Sequence, residues 1–156
     1  MSLILALLED PINATQVKSC LEKSEHQVLV ASTFLQAKAL LALQKVDLII
    51  SDVHLQNGGD VFDFLKWTKN ADIIAQIPFV LFSFGPTPMA KYLSEGLRIS
   101  ARVLGAVRYI EMQNFETESF REQIDALLPE RQPRRQRARP RSKQANLELD
   151  LSVLVN

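Results

Sequence analysis

Short apolar runs alternate with longer amphipathic segments along the first 128 residues. Five of these runs are bounded by polar or turn-forming residues and have the length of buried strands. They cover residues 3–8, 27–31, 46–51, 77–83 and 106–110. The segments between them carry apolar residues at helical spacing. Five strands that alternate with five helices predict an α/β fold, a doubly wound five-stranded parallel sheet with helices on both faces.

The predicted helices have recognisable start and stop signals. Pro11 suits the first turn of the first helix, and Asp60 is a predicted N-cap of the third. Gly105 is a predicted C-cap of the fourth helix, which covers residues 89–104, and Pro129 ends the fifth, which covers 116–128. The inward stripes predicted for the first two helices are Ile12, Val17, Cys20 and Leu21, and then Leu35, Ala39, Leu40 and Leu43.

The charge distribution divides the chain into three parts. Residues 1–128 carry 11 basic and 15 acidic side chains, whereas residues 129–143 carry seven basic and one acidic. We therefore predict an acidic globular domain over 1–128 and a basic Pro/Arg-rich linker over 129–146. Residues 147–156 alternate apolar and polar positions, as a strand does, so they are either a strand-like C-terminal peptide or a disordered end.

Composition excludes several classes of protein. The 156 residues suit one ordinary domain, and 47% of them are hydrophobic, so whole-chain disorder is not expected. The single cysteine, Cys20, excludes an intramolecular disulfide and a multi-cysteine metal site. No apolar run approaches the ~20 residues of a membrane span, and the N-terminus lacks the basic region of a secretory signal. We expect a cytoplasmic protein with no membrane partner.

Polar side chains lie where the predicted strands end. Glu9 and Asp10 follow the first strand, Asp52 follows the third, Ser83 ends the fourth and Tyr109 lies on the fifth. Parallel sheets carry their functional sites at the carboxyl ends of the strands, so these side chains are expected to meet there. Carboxylate oxygens in such a group are the ligands that Mg²⁺ prefers.

This constellation resembles the receiver domain of two-component response regulators, over about residues 1–128. The resemblance implies a flavodoxin-like fold, with Asp52 as the phosphoacceptor and with Mg²⁺ held by Glu9, Asp10 and Asp52. It also implies that Ser83 hydrogen-bonds the phosphoryl group and that Tyr109 is the switch aromatic, behind the Gly-Ala turn at 105–106.

One departure from the receiver pattern affects function. The lysine usual three residues after the switch aromatic is Met112 here, and the proline usual after that lysine is Gln113. His54, two residues after Asp52, is interpreted as an exposed loop histidine. The chain contains no GxxxxGK or GxGxxG loop and no nucleophile paired with a histidine, so we do not expect an enzyme.

Two functions remain open. In the first, a stand-alone atypical receiver is phosphorylated on Asp52 by a histidine kinase or phosphotransfer protein and acts by contact with a protein effector. In the second, which Met112 favours, a pseudo-receiver serves as an interaction or dimerisation module without phosphorylation.

Two further contacts of the chain are considered, one with a second copy and one through the basic tail. The resemblance implies homodimer pairing through the fourth helix, fifth strand and fifth helix. The basic tail is either a solvated linker or a non-specific contact for phosphate backbones, since no DNA-binding fold accompanies it.

Overall fold

Five strands and five α-helices alternate in a computed structural model that describes residues 2–55 and 59–128. The predicted linker and C-terminal peptide lie outside these residues. The strands are β1 (Leu3–Leu7), β2 (Gln27–Ala31), β3 (Leu48–Asp52), β4 (Phe79–Phe84) and β5 (Arg108–Met112). The helices are α1 (Pro11–Glu22), α2 (Phe34–Leu43), α3 (Val61–Lys69), α4 (Pro88–Leu104) and α5 (Thr117–Asp125), with a short 3₁₀ turn at Ile74–Gln76.

All five strands pair in parallel, in the order β2-β1-β3-β4-β5. The chain leaves β1 toward one edge to form β2 and then crosses back to form β3, so the strand order reverses between β1 and β3. This topology confirms the predicted flavodoxin-like sheet. The crevice at the carboxyl ends of β1 and β3 is where such a sheet carries its site.

Most helix boundaries follow from capping chemistry. Asp10, Thr33, Asp60 and Thr87 each accept a hydrogen bond from a backbone N–H of the first turn. Gly105 ends α4 with a φ of 110°, a left-handed conformation that glycine adopts without steric cost. The predicted caps at Asp60 and Gly105 and the first-turn proline of α1 are confirmed.

The core has two layers, one on each face of the sheet. One layer packs α2, α3 and α4 against alternate residues of the inner strands: Leu5, Leu7, Ile49, Phe79 and Leu81. On the other face, Phe82 of β4 contacts Phe120 of α5, with ring centroids 5.1 Å apart. The inner strands are therefore buried on both sides, as their almost continuous apolar runs predict.

Strands β3 and β4 each begin two residues later than predicted, at Leu48 and Phe79, and the last two elements also differ from their predicted bounds. The fifth strand begins at Arg108 instead of residue 106, because Ala106 belongs to the helix cap: its N–H donates to the carbonyl of Ala101. The fifth helix spans Thr117–Asp125, shorter than predicted at both ends.

Two predicted helix stripes are partly wrong. Val17, Cys20 and Leu21 are buried, but Ile12, in the first turn of α1, is 69% exposed. In α2 the buried residues are Ala37 and Leu41. The predicted inward residues Leu35, Ala39 and Leu43 are exposed, because the helix is apolar around most of its circumference and the spacing alone did not indicate its inner side.

Residues 2–124 of the described part of the chain form one compact unit, and residues 125–128 follow it. None of the helices in the described part of the chain is long and apolar enough to cross a membrane.

Candidate functional site

Asp52 is the last residue of β3, in the middle of the sheet, and only 9% of its surface is exposed. It pairs in register with Phe82 of β4. The strand therefore places a carboxylate at the carboxyl edge of the sheet, next to the crevice where the strand order reverses.

The surroundings of Asp52 act on its ionisation in both directions. Burial raises the pKa of this carboxyl above its ordinary value, and it is the largest influence. The backbone N–H of His54 donates to Oδ1 at 2.8 Å and lowers the pKa, while the nearby charges of Glu9 and Asp10 raise it. The net shift is upward, so the folded protein pays to keep this group ionised.

A cleft of about 530 Å³ opens in front of Asp52. Its described lining contains three carboxylates and one imidazole but no lysine or arginine: Glu9, Asp10, Asn13, Ser32, Thr33, Asp52 and His54. The structure thus brings the predicted acidic residues to one cleft. Glu9 is half-buried at the end of β1, and exposed Asp10 caps α1 by accepting a 2.8 Å hydrogen bond from the N–H of Ile12.

The donor set in this cleft suits a cation such as Mg²⁺. That ion prefers carboxylate oxygens, needs only one or two from the protein, and completes its shell with water and phosphate oxygens. Within the described ranges, no three His, Cys, Asp or Glu side chains are already clustered as metal ligands. The cleft therefore has the right oxygens without a closed cage, and the roles of Glu9 and Asp10 as ligands stay predictions.

Ser83 lies one strand away from Asp52, on β4, and is almost fully buried. Its Oγ is 3.1 Å from Nε2 of His54. Burial raises the pKa of the Tyr109 phenol, and a hydrogen bond with Ser83 opposes that shift. The Ser83 hydroxyl therefore joins the imidazole that follows β3 to the phenol on β5.

Tyr109 is half-buried and packs against the core layer that contains α3 and α4. From the outer side, the Arg98 guanidinium stacks over its ring at 4.7 Å and donates to its carbonyl oxygen at 3.2 Å. The predicted switch pair, Ser83 and Tyr109, is in contact, and Arg98 of α4 covers the aromatic member.

His54 is the site residue that sequence reasoning missed. Its side chain is largely exposed, as predicted for a loop histidine, but the imidazole turns back to Ser83. The sequence feature that could have indicated this position is the spacing of Asp52 and His54. An aspartate that accepts a hydrogen bond from the N–H two residues later forms a tight Asx turn, which turns the chain back toward the sheet.

Met112 occupies the end of β5 and is 5% exposed. Its carbonyl accepts a 2.7 Å hydrogen bond from the N–H of Gly85, which ties the end of β5 to the end of β4. A buried thioether supplies no charge, so β5 contributes no cation at the position where the receiver pattern has lysine.

Comparison with known proteins gives structural matches only. No protein-family model matches the chain, and no curated protein matches it. A signal receiver domain of a signal transduction histidine kinase from Syntrophus aciditrophicus is 23% identical, with a TM-score of 0.67 over 82% of this chain and 90% of that one. A chemotaxis response regulator of Vibrio cholerae is 20% identical, with a TM-score of 0.68 over 82% and 99%.

A third match is an orphan response regulator of H. pylori, 16% identical with a TM-score of 0.65 over 81% of this chain and 96% of that one. The chain therefore has the fold of the response-regulator receiver domain. At these identities the likeness establishes the fold, and the chemistry at Asp52 has to be argued from the site itself.

Proposed function

We propose that the protein is an atypical response-regulator receiver that is phosphorylated on Asp52 and signals by contact with other proteins. The observation that carries the proposal is the position of Asp52: a buried carboxylate at the carboxyl end of the central strand, facing a cleft that also contains Glu9 and Asp10. Phosphoryl transfer needs positioning and charge neutralisation more than covalent chemistry from the protein.

The phosphoryl donor would be a histidine kinase or a phosphotransfer protein. One Asp52 oxygen attacks phosphorus, and the bond from phosphorus to the donor breaks with its electron pair on the leaving group. When bound by Glu9, Asp10 and Asp52, Mg²⁺ would neutralise charge on the carboxylates and on the phosphoryl oxygens. On the protein side, the His54 amide holds Oδ1 and thereby orients the carboxylate.

Ser83 and Tyr109 are the proposed switch. A phosphoryl group adds strong acceptor oxygens, and a hydroxyl that turns to them forms a charge-assisted hydrogen bond. Because Ser83 lies near enough to Tyr109 to lower the pKa of its phenol, such a turn changes the environment of that group. Arg98 connects that change to α4, the helix beside β5.

The proposed contact surface for an effector or a second copy is the face formed by α4, β5 and α5. Exposed basic residues outnumber the exposed acidic residue Glu95 on its α4 and β5 side (Lys91, Arg98, Arg102, Arg108), and exposed acidic residues lie on α5 (Glu118, Glu122). A two-fold axis would bring the basic side of one copy to the acidic side of the other. Non-specific contact of residues 129–143 with nucleic acid remains a prediction.

Pairing through this face is testable by charge exchange. We expect Arg102→Glu to raise the dimer dissociation constant by about tenfold, since it places like charges together across the axis, and Glu122→Lys combined with it to restore the wild-type value in part. Sedimentation velocity at low salt measures the constants. An identical constant for all three proteins would rule out this pairing surface.

The alternative function is a pseudo-receiver that acts as an interaction module without phosphorylation. Buried Met112 and the lack of lysine or arginine in the described lining of the cleft favour it. The two proposals differ in one measurable event, covalent modification of Asp52.

Intact-mass spectrometry after incubation with acetyl phosphate and Mg²⁺ distinguishes them. We expect one added phosphoryl group on the wild type, none on Asp52→Asn, and a wild-type level on the matched control Asp63→Asn, whose side chain is exposed on α3. An unmodified wild type, beside a receiver that is labelled in the same conditions, would establish the pseudo-receiver alternative.

A further inference from the structure

The cleft in front of Asp52 has an unusual balance of charge for a site that is to receive a phosphoryl group. Three carboxylates line it, and the end of β5 carries the buried thioether of Met112, which is not part of the described lining and supplies no charge. Phosphoryl oxygens require hydrogen-bond donors and positive charge around them. The described lining side chains that can donate a hydrogen bond are those of Asn13, Ser32, Thr33 and His54, and His54 is the one already in contact with Ser83.

Two contacts fix His54 beside the reacting carboxylate. Its backbone N–H donates to Asp52 Oδ1 at 2.8 Å, and its Nε2 lies 3.1 Å from Ser83 Oγ. The backbone and the ring thus bridge β3 and β4, on either side of the space into which a phosphoryl group on Asp52 would project. The imidazole is therefore held beside the hydroxyl that is predicted to meet the phosphoryl group.

The local sequence after β3 determines where His54 lies. Asp52 accepts from the residue two positions on, so the chain turns immediately after β3, and residue 54 faces back over the sheet edge. A side chain of imidazole length then reaches β4. His54 therefore stands near the phosphoryl oxygens from the β3 side, whereas a lysine in place of Met112 would approach them from β5.

We infer that His54 replaces the missing lysine: its ring N–H binds an oxygen of the phosphoryl group on Asp52 and holds that group in the cleft. On phosphorylation the ring exchanges its contact with Ser83 for the phosphoryl oxygen, and the freed Ser83 hydroxyl donates to a second oxygen. The inference rests on the proposed phosphorylation of Asp52. It adds no bond-breaking step, because His54 contributes only a hydrogen bond.

The phosphoryl analogue beryllofluoride, with Mg²⁺, tests this role without a donor enzyme, and ¹⁹F NMR measures its affinity. We expect His54→Ala to weaken binding by about tenfold, the usual consequence of losing one hydrogen bond to a charged group. His54→Gln keeps an N–H donor and should stay within about threefold of wild type. Asp63→Asn, exposed on α3 and outside the lining of the cleft, is the control and should bind as wild type does.

A second substitution tests whether His54 takes the role of the missing lysine. Met112→Lys should restore most of the affinity that His54→Ala loses and should add less to the wild type, because the two donors then serve the same oxygens. Thermal unfolding of each variant without ligand verifies folding; exposed His54 is not expected to affect it. If Met112→Lys does not fold, the comparison of His54→Ala with His54→Gln still shows whether the hydrogen-bond donor at position 54 contributes to binding.

The results separate the inference from the function on which it rests. If the wild type binds beryllofluoride and His54→Ala binds equally well, the role of His54 is wrong and the phosphorylation proposal stands. If the wild type neither binds beryllofluoride nor accepts a phosphoryl group, both are wrong. A loss in His54→Ala that His54→Gln recovers supports the inference, and an equal loss in both variants contradicts it.

Discussion

Helices α3 and α4 contact each other and contribute to the same core layer, but they are packed very differently. In α3, four of nine residues are buried: Val61, Phe64, Leu65 and Thr68. In α4, Ala101 is the single buried residue of seventeen. The sequence of α3 is therefore constrained by the interior, whereas most of α4 is open to contacts outside the domain.

The exposed side of α4 is not polar. Tyr92 is 83% exposed, Val103 79% and Met89 66%, and all three lie within a stripe at helical spacing. Solvent alone does not favour such residues at neighbouring positions, and apolar patches of this kind commonly mark contact surfaces. The contrast with α3 shows that this side of α4 is open to a contact outside the domain.

Removing a buried ring from α3 should have the largest effect on stability. Phe64 is fully buried and stacks with Phe34 and Trp67, with centroids 5.0 and 6.0 Å away. We expect Phe64→Ala to lower the free energy of unfolding by about 3–5 kcal/mol, because it loses buried area and leaves a cavity. Urea denaturation followed by Trp67 fluorescence measures this loss.

The matched variant on α4 is Tyr92→Ala, which also removes an aromatic ring. The ring is exposed, so the expected change is within about 0.5 kcal/mol. A loss above 2 kcal/mol in dilute monomer would show that α4 is packed as α3 is, and the contrast between the two helices would be wrong.

The fold was largely predictable because its signals are local and repeated. Parallel strands buried on both faces are continuous apolar runs, and caps such as Asp60 and Gly105 mark helix ends directly. The predicted stripe of α2 was less accurate: a helix that is apolar all round does not reveal its inner side, and tertiary packing selected Ala37 and Leu41.

The sequence was sufficient to predict which strand-end residues form the site, but not the contacts between their side chains. Strand order brings Asp52, Ser83 and Tyr109 to one edge, and the pattern sufficed to predict that. The contact of His54 with Ser83 joins residues 29 positions apart and depends on the turn after β3, which no periodicity describes. Such side-chain contacts are determined by the three-dimensional fold and not by local sequence.

Two glycines, one within α4 and one directly after it, test the comparison of α3 with α4 by smaller substitutions. A Cβ added at Gly96 would meet no atom within 4 Å, so Gly96→Ala should stabilise the domain by about 0.5–1 kcal/mol through helix propensity. Gly105 has a φ of 110°, and its Cβ would lie 3.1 Å from Lys69 Cγ of α3. Gly105→Ala should therefore destabilise by about 1–2 kcal/mol.

Urea midpoints of the two variants provide the measurement. We expect the two changes in unfolding free energy to have opposite signs, although both substitutions are Gly→Ala within or directly after α4. Destabilisation by Gly96→Ala would indicate that the exposed side of α4 is packed after all, and it would remove the basis for regarding that side as open.

The smallest effect concerns the charge at the end of β3. The pKa of Asp52 is raised in the folded protein, mainly by burial, so the native state binds its proton more tightly than the unfolded chain does. Below the unfolded value near 3.8 both states are protonated and no cost arises. As the pH rises through the folded pKa, the native state loses this advantage and stability falls.

Asp52→Asn removes that cost and can keep an oxygen for the His54 amide. We expect the variant to be more stable than wild type at pH 7 without Mg²⁺, and the difference to shrink as the pH approaches 4. The His54 hydrogen bond already offsets part of the effect of burial, so the gain reflects only the remaining cost of ionisation. Asp63→Asn, exposed on α3 and 3.7 Å from Lys66, should change little at either pH. Urea titrations at pH 4 and pH 7 give both differences; a variant that is less stable than wild type at pH 7 would mean that the ionised carboxylate stabilises the fold.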